Sequence, residues 1–119
     1  MAFTRVAGVQ DVAVGQGLLV EAEGVTLALF NAGGGRLHAT SPLCPHEDGP
    51  LAEGWLEGDA VVCPWHGFDF DLGTGQCKVD DSLRIAVYPV RVSGDDVEVD
   101  VRACRGRIGV ARVVRGPAG

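Results

Sequence analysis

The sequence lacks several features, and each absence excludes a class of protein function. It has one Met, one Tyr and two Trp in 119 residues, and no apolar run of 18 residues that would predict a membrane span. The first residues lack the apolar segment of a signal peptide, so we expect a cytoplasmic protein. No Ser-His-Asp arrangement is present among its three His, so we do not expect the chain itself to be an enzyme.

Positive charge is scarce over most of the chain. Residues 1–101 contain five basic and sixteen acidic residues, a net charge of −11, whereas residues 102–119 contain five Arg and no acid. An acidic body argues against a nucleic-acid partner and suits docking to a basic patch on another protein. The same acids would also keep a small protein soluble, so both interpretations remain open.

Two short clusters combine cysteine with histidine. They read Cys44-Pro45-His46 and Cys63-Pro64-Trp65-His66, with 16 residues between His46 and Cys63. Two thiolates and two imidazoles predict a four-ligand site for zinc or an iron–sulfur cluster. Zinc sites usually open with paired cysteines, which this pattern lacks, and a zinc-stapled interaction module remains only as an alternative.

The two clusters, the Gly67-Phe68 that follows them and the Thr74-Gly75 turn resemble the Rieske-type [2Fe–2S] proteins. The resemblance covers roughly residues 3–101. It implies one [2Fe–2S] cluster per chain, with Cys44 and Cys63 on one iron and with His46 and His66 on the other iron, nearer the surface.

Residues next to the ligands are expected to form the surroundings of the cluster. Pro45 and Pro64 stiffen the two loops because a proline ring restricts the backbone. Gly67 permits a tight turn beside the cluster. The two prolines and Trp65 are expected to shield the cluster and shape the surface on which a partner docks, and Phe68 is expected to lie beside the cluster.

The resemblance points to the low-potential branch of the family. Respiratory members carry an extra cysteine in each loop, joined as a disulfide, where this chain has Gly49 and Trp65. They also have hydroxyl donors after the second ligand pair, whereas residues 67–71 read GFDFD, and Asp69 and Asp71 would oppose an added electron. We therefore expect a midpoint potential of about −150 mV.

The low-potential branch implies the function of a one-electron carrier. It includes free ferredoxins, which pass electrons from a reductase to a terminal oxygenase, and the small subunit of NAD(P)H-dependent nitrite reductase. A carrier between a reductase and a terminal oxygenase or reductase is the expected function, and the nitrite reductase subunit is the alternative. The partners would be redox proteins.

Helical periodicity is weak, and short alternating runs are separated by glycine turns, which predicts an all-β fold. The resemblance implies antiparallel sheets with a small cluster-binding subdomain. The predicted strands comprise 2–9, 18–22, 25–30, 36–40, 60–63, 68–72, 76–79, 83–92 and 97–101. Leu51, Trp55 and Leu56, in the segment that links the two loops, are expected to pack beneath the cluster.

The last predictions concern the domain boundary, the C-terminal tail and three single residues. Residues 1–101 form one domain, and residues 102–119 are a basic tail expected to dock on it, since the tail's apolar residues would otherwise be exposed. Cys77 is expected to be a small buried hydrophobe. His38 is expected to be structural or on the surface, and Cys104 has no assigned role.

Overall fold

The computed structural model describes residues 3–45, 48–65 and 67–103. These ranges contain ten strands and two single-turn 3-10 helices, at Val9–Asp11 and Leu51–Glu53. The strands are β1 Thr4–Gly8, β2 Gly17–Ala22, β3 Val25–Asn31, β4 Leu37–Thr40, β5 Trp55–Glu57, β6 Ala60–Val62, β7 Asp69–Asp71, β8 Val87–Tyr88, β9 Val90–Ser93 and β10 Asp96–Val99. Within the described ranges, neither helix has the length or the apolar content to cross a bilayer.

The strands form three antiparallel sheets, as the sequence predicted. One sheet has the order β1-β10-β9, a second has the order β2-β3-β4-β8, and the third has the order β5-β6-β7. Pro89 separates β8 from β9, and the two strands belong to different sheets. A proline cannot donate to a ladder, and the strand predicted over 83–92 is divided at Pro89, where the chain changes sheets.

Strand β3 lies between two apolar cores. Leu27 and Leu29 belong to the core shared with β1, β4 and β10, whereas Ala28 and Phe30 belong to the core beneath the third sheet. All four side chains are fully buried. A strand buried on both faces needs a continuous apolar run rather than alternation, which is the pattern that this segment shows.

The third sheet builds a small subdomain on that second core. Val61 from β6 and Phe70 from β7 are fully buried there, together with Leu51 from the 3-10 turn between the ligand clusters. Leu56 packs against the same core. Trp55 does not: its side chain is 49% exposed, so its predicted place beneath the cluster was wrong.

Two other predictions differ from the observed elements. Residues 76–79 form only isolated bridges, Phe70 with Cys77 and Gln76 with Arg84, instead of a strand. β5 was not predicted because its three residues carry no clear alternation. At the C-terminal end, Arg102 pairs with Glu23 at 3.2 Å, and residues 104–119, with Cys104 and most of the predicted tail, lie outside the described residues.

Candidate metal centre

The first cysteine-histidine cluster lies in a loop whose ends are joined by backbone hydrogen bonds. Leu43 bridges Pro50, and the N–H of Cys44 donates to the carbonyl of Gly49 at 2.8 Å. The N–H of Asp48 donates a hydrogen bond to the carbonyl of Cys44 at 2.6 Å. These bonds anchor both ends of the segment that contains His46, which itself lies outside the described residues.

The second cluster forms the connection between β6 and β7. The N–H of Cys63 donates to the carbonyl of Phe68 at 2.7 Å, which closes the loop directly beyond the two strands. Gly67 has φ +73°, so the expected need for glycine at this turn is confirmed. His66, like His46, lies outside the described residues.

The two loops approach each other through Gly49. A Cβ added to Gly49 would lie 2.5 Å from Sγ of Cys63 and 3.5 Å from Cβ of Trp65. The second distance is within the Cβ–Cβ range of a disulfide, so the structure places these two positions where respiratory members would carry their bridge. Glycine here leaves the space beside the Cys63 thiol free of any side chain.

Both predicted cysteine ligands are fully buried. Cys44 and Cys63 have no exposed surface and belong to the apolar core that includes Phe30 and Phe70. Two buried thiols at the bases of adjoining loops, each two or three residues from a histidine in the sequence, fit the donor set of a mixed thiolate and imidazole cluster. Within the described ranges no group of three or more His, Cys, Asp or Glu side chains could hold a metal ion.

The predicted flanking residues differ in exposure. Pro45 and Pro64 are half-buried, and Phe68 packs against the core beneath the loops. Trp65 is 47% exposed, so it contributes to the surface and does not cover the core.

Cys77 shares the same core as the two predicted ligands. Its exposed fraction is 1%, and its backbone bridges Phe70 of β7. The structure therefore places it as a small buried apolar side chain, as expected, although the sequence did not indicate that three cysteines would share one core. The third histidine, His38, is on the surface, with Nε2 3.4 Å from Asp59 Oδ1.

Asp69 and Asp71 differ in a way that the sequence did not reveal. Oδ1 of Asp71 accepts hydrogen bonds from the N–H groups of Gly73 and Thr74 at 2.8 and 2.9 Å. Oδ1 of Asp69 is shielded from solvent and has no hydrogen-bond partner among the described residues. An aspartate followed two and three residues later by Gly73 and Thr74 is typical of an Asx turn. This local pattern could have predicted the hydrogen-bond donors of Asp71 from the sequence.

Comparison with known proteins identifies the family. The Rieske [2Fe-2S] domain family matches residues 2–89. The biphenyl dioxygenase ferredoxin subunit of Pseudomonas sp. (strain KKS102) is 37% identical over 102 residues, which cover 84% of this chain and 93% of that protein.

Solved structures agree with this family. One chain from the complex of reduced oxygenase and oxidized ferredoxin in carbazole 1,9a-dioxygenase is 30% identical, with a TM-score of 0.71 over 82% of this chain and 91% of that one. A putative NADH-dependent nitrite reductase small subunit from Mycobacterium tuberculosis has a TM-score of 0.77 over 90% of this chain and 97% of that one. At 24% identity, that second likeness concerns the fold alone. The chain therefore belongs to the Rieske [2Fe–2S] domain family, whose cofactor is a [2Fe–2S] cluster.

Proposed function

We propose that this protein is a one-electron carrier that takes an electron from a reductase and delivers it to a terminal oxygenase. The observation that carries this proposal is the pair of adjoining loops with fully buried Cys44 and Cys63 in an all-β domain. Relatives more than 30% identical that nearly match its full length are ferredoxin components of dioxygenases. Such components transfer electrons and are not themselves catalytic.

The proposed ligands are Cys44 and Cys63 for one iron and His46 and His66 for the other. When bound, a [2Fe–2S] cluster accepts and returns a single electron. The buried cysteines anchor the group in the apolar core, and the loop-closing hydrogen bonds of Cys44 and Cys63 hold both thiols in place. Pro45, Pro64 and Phe68 exclude water from the thiolate side.

The proposed docking surface consists of Leu43 in the first loop and Trp65 in the second loop. Leu43 is 45% exposed and Trp65 is 47% exposed, and each lies within two residues of a cysteine ligand. Tryptophan is a frequent anchor of protein–protein interfaces, and Leu43 contributes exposed apolar surface in the first loop. A partner seated on these residues would come close to the cluster, as rapid electron transfer requires.

Two alternatives from the sequence are less well supported. The nitrite reductase small subunit rests on structures that are 22% and 24% identical, which support a common fold. The zinc-stapled module is disfavoured by the match to an iron–sulfur family. We also propose a cytoplasmic location, because cysteines that serve as metal ligands are typical of a reducing compartment.

The decisive test is low-temperature EPR of the dithionite-reduced protein, with iron and zinc measured on the same sample. We expect a rhombic signal of low average g and about two irons per chain. An EPR-silent protein that contains zinc would contradict the electron-transfer function.

A matched pair of cysteine variants tests the ligand set. Cys63→Ala should lose both the iron and the EPR signal, whereas Cys77→Ala should keep both, although the two cysteines share one buried core. Loss of the cluster in a folded Cys77→Ala protein would show that the proposed ligand set is wrong.

A further inference from the structure

Asp69 begins β7 immediately beyond the second ligand loop. Its partner across the ladder is Val62, the residue before Cys63, and the preceding residue, Phe68, accepts the N–H of Cys63. The backbone of Asp69 is therefore fixed by two strand contacts next to the thiolate end of the site. Asp71, on the same face of the same strand, pairs with Ala60, two residues further from Cys63 on each side of the ladder.

One oxygen of the Asp69 carboxylate lacks the hydrogen bonds that other acids of this region receive. Asp71 accepts two backbone N–H groups, and Oδ1 of Asp80 accepts the N–H and the hydroxyl of Ser82. Asp59 has Arg36 at 3.1 Å. In contrast, Oδ1 of Asp69 is closed off from water and has no donor in the described part of the chain.

A negative charge on an oxygen that is shielded from water acts over a longer range than the charge of an exposed carboxylate. Hydrogen-bond donors offset a negative charge locally, and water and salt screen what remains. Neither donors nor water reach Oδ1 of Asp69 within the described residues, so the charge on this side chain is screened less than that of a carboxylate with both oxygens exposed. Reduction adds one negative charge to the site, and this added charge is repelled by the carboxylate.

We propose that Asp69, more than Asp71, is the carboxylate of β7 that lowers the midpoint potential of this carrier. Its charge disfavours the reduced state and so favours onward delivery of the electron. This inference rests on the proposed electron-carrier function and ligand set. The sequence indicated that both aspartates would oppose the added electron, and the structure distinguishes between them.

The test compares the midpoint potential of the full-length, cluster-loaded Asp69→Asn protein with that of the wild type. Spectroelectrochemistry measures both values. Asparagine has nearly the same shape and removes the charge. We expect the equilibrium constant for reduction to rise about threefold to tenfold, which corresponds to a shift of about +28 to +59 mV for a one-electron couple. The EPR signal and visible spectrum should not change, because no ligand is altered.

Asp71→Asn is the matched control, with the same chemistry on the same strand. We expect its shift to be less than half that of Asp69→Asn. Raising the ionic strength to about 1 M, where the screening length is about 3 Å, should leave most of the Asp69→Asn shift in place. A shift that disappears in salt would mean that the carboxylate acts as an ordinary surface charge, which would overturn the proposal.

Stability separates an electrostatic role from a structural one. Since the buried oxygen has no described donor, replacing the carboxylate should not lower the thermal midpoint of unfolding.

If the Asp69→Asn substitution prevents cluster loading, Asp69→Ser removes the same charge with a smaller side chain, and its midpoint potential is measured instead.

The outcomes are distinct from those that test the overall function. An unchanged midpoint in either neutral variant of Asp69, or equal shifts from Asp69→Asn and Asp71→Asn, would overturn this inference alone. Absence of the Rieske EPR signal from the wild-type protein would instead overturn the proposed function.

Discussion

Trp65 is the largest side chain of the second ligand loop, and it faces solvent. It stands between Cys63 and His66 in the sequence, and 47% of its surface is exposed. A large aromatic ring in water is costly unless a partner covers it during function. Trp55, the other tryptophan, is 49% exposed, but it lies on β5 and its Nε1 donates to Glu57.

We predict that Trp65→Ala weakens productive docking with the terminal oxygenase. Loss of an interface anchor of this size costs about 1–2 kcal/mol, or roughly a five- to thirtyfold fall in kcat/KM for the carrier. The midpoint potential should remain unchanged, because Trp65 is uncharged and its side chain makes no hydrogen bond to Cys44 or Cys63 in the described part of the chain. Steady-state oxygenase turnover at varied carrier concentration measures both kcat and KM.

Trp55→Ala is the control for the exposed ring. Its effect on kcat/KM should be smaller, since β5 is not one of the ligand loops. A larger effect for Trp55→Ala than for Trp65→Ala would move the docking surface from the loops to β5.

At the scale of elements, the turn after β7 supports the core beneath the site. The N–H of Gly75 donates to the carbonyl of Asp71 at 2.7 Å, and its own carbonyl accepts the N–H of Ile85 at 2.8 Å. Gly75 has φ +82°, and a Cβ placed there would overlap the carbonyl oxygen of Ile85. Thus the Thr74-Gly75 signature reflects a close backbone approach, not only the geometry of a turn.

We predict that Gly75→Ala lowers the free energy of unfolding by at least about 3 kcal/mol, because a positive φ and a backbone overlap act together. Gly58→Ala is the matched control, since Gly58 has φ +63° but open space around the added Cβ. That control should lose only about 1–2 kcal/mol. Chemical denaturation of the loaded proteins measures both values, and equal losses would show that the overlap with Ile85 is relieved without cost.

At the scale of the molecule, charge is the dominant surface feature. Residues 1–101 carry −11, and several acids are locally paired, including Asp96 with Arg5 and Glu98 with Arg91. Surface pairs of this kind contribute little to stability. The surplus of acids instead provides a long-range field that a basic partner would sense. That the basic tail docks on this body stays a prediction, supported by the pair between Arg102 and Glu23.

We predict that the bimolecular rate constant for electron delivery to the oxygenase falls about tenfold or more from low to high ionic strength, because salt screens attraction between unlike charges. Stopped-flow mixing of reduced carrier with oxidised oxygenase measures it. The midpoint potential, recorded at each salt concentration, controls for changes in driving force. A rate constant independent of salt would indicate that the acids serve solubility alone.

The sequence alone determined the family, the candidate ligands and the fold class. The ligand motif can be read locally because each loop places a cysteine and a histidine within two or three residues, a spacing that few other sites share. The all-β class follows from short runs between glycine turns. Cys77 as a buried apolar residue and Gly67 as a tight turn also follow from residue type, because burial and positive φ are strong local preferences.

Tertiary structure alone decided which residues meet across the loops and which charges are compensated. The closeness of Gly49 to Cys63 and the exposure of Trp55 depend on how the third sheet packs against β3. Asp69 and Asp71 differ because Oδ1 of Asp69 is buried by long-range packing, whereas Asp71 accepts hydrogen bonds from a local turn. A carboxylate's effect depends on its donors and on its access to water, and both are properties of the folded chain, whereas ligand spacing is already written in the order of the residues.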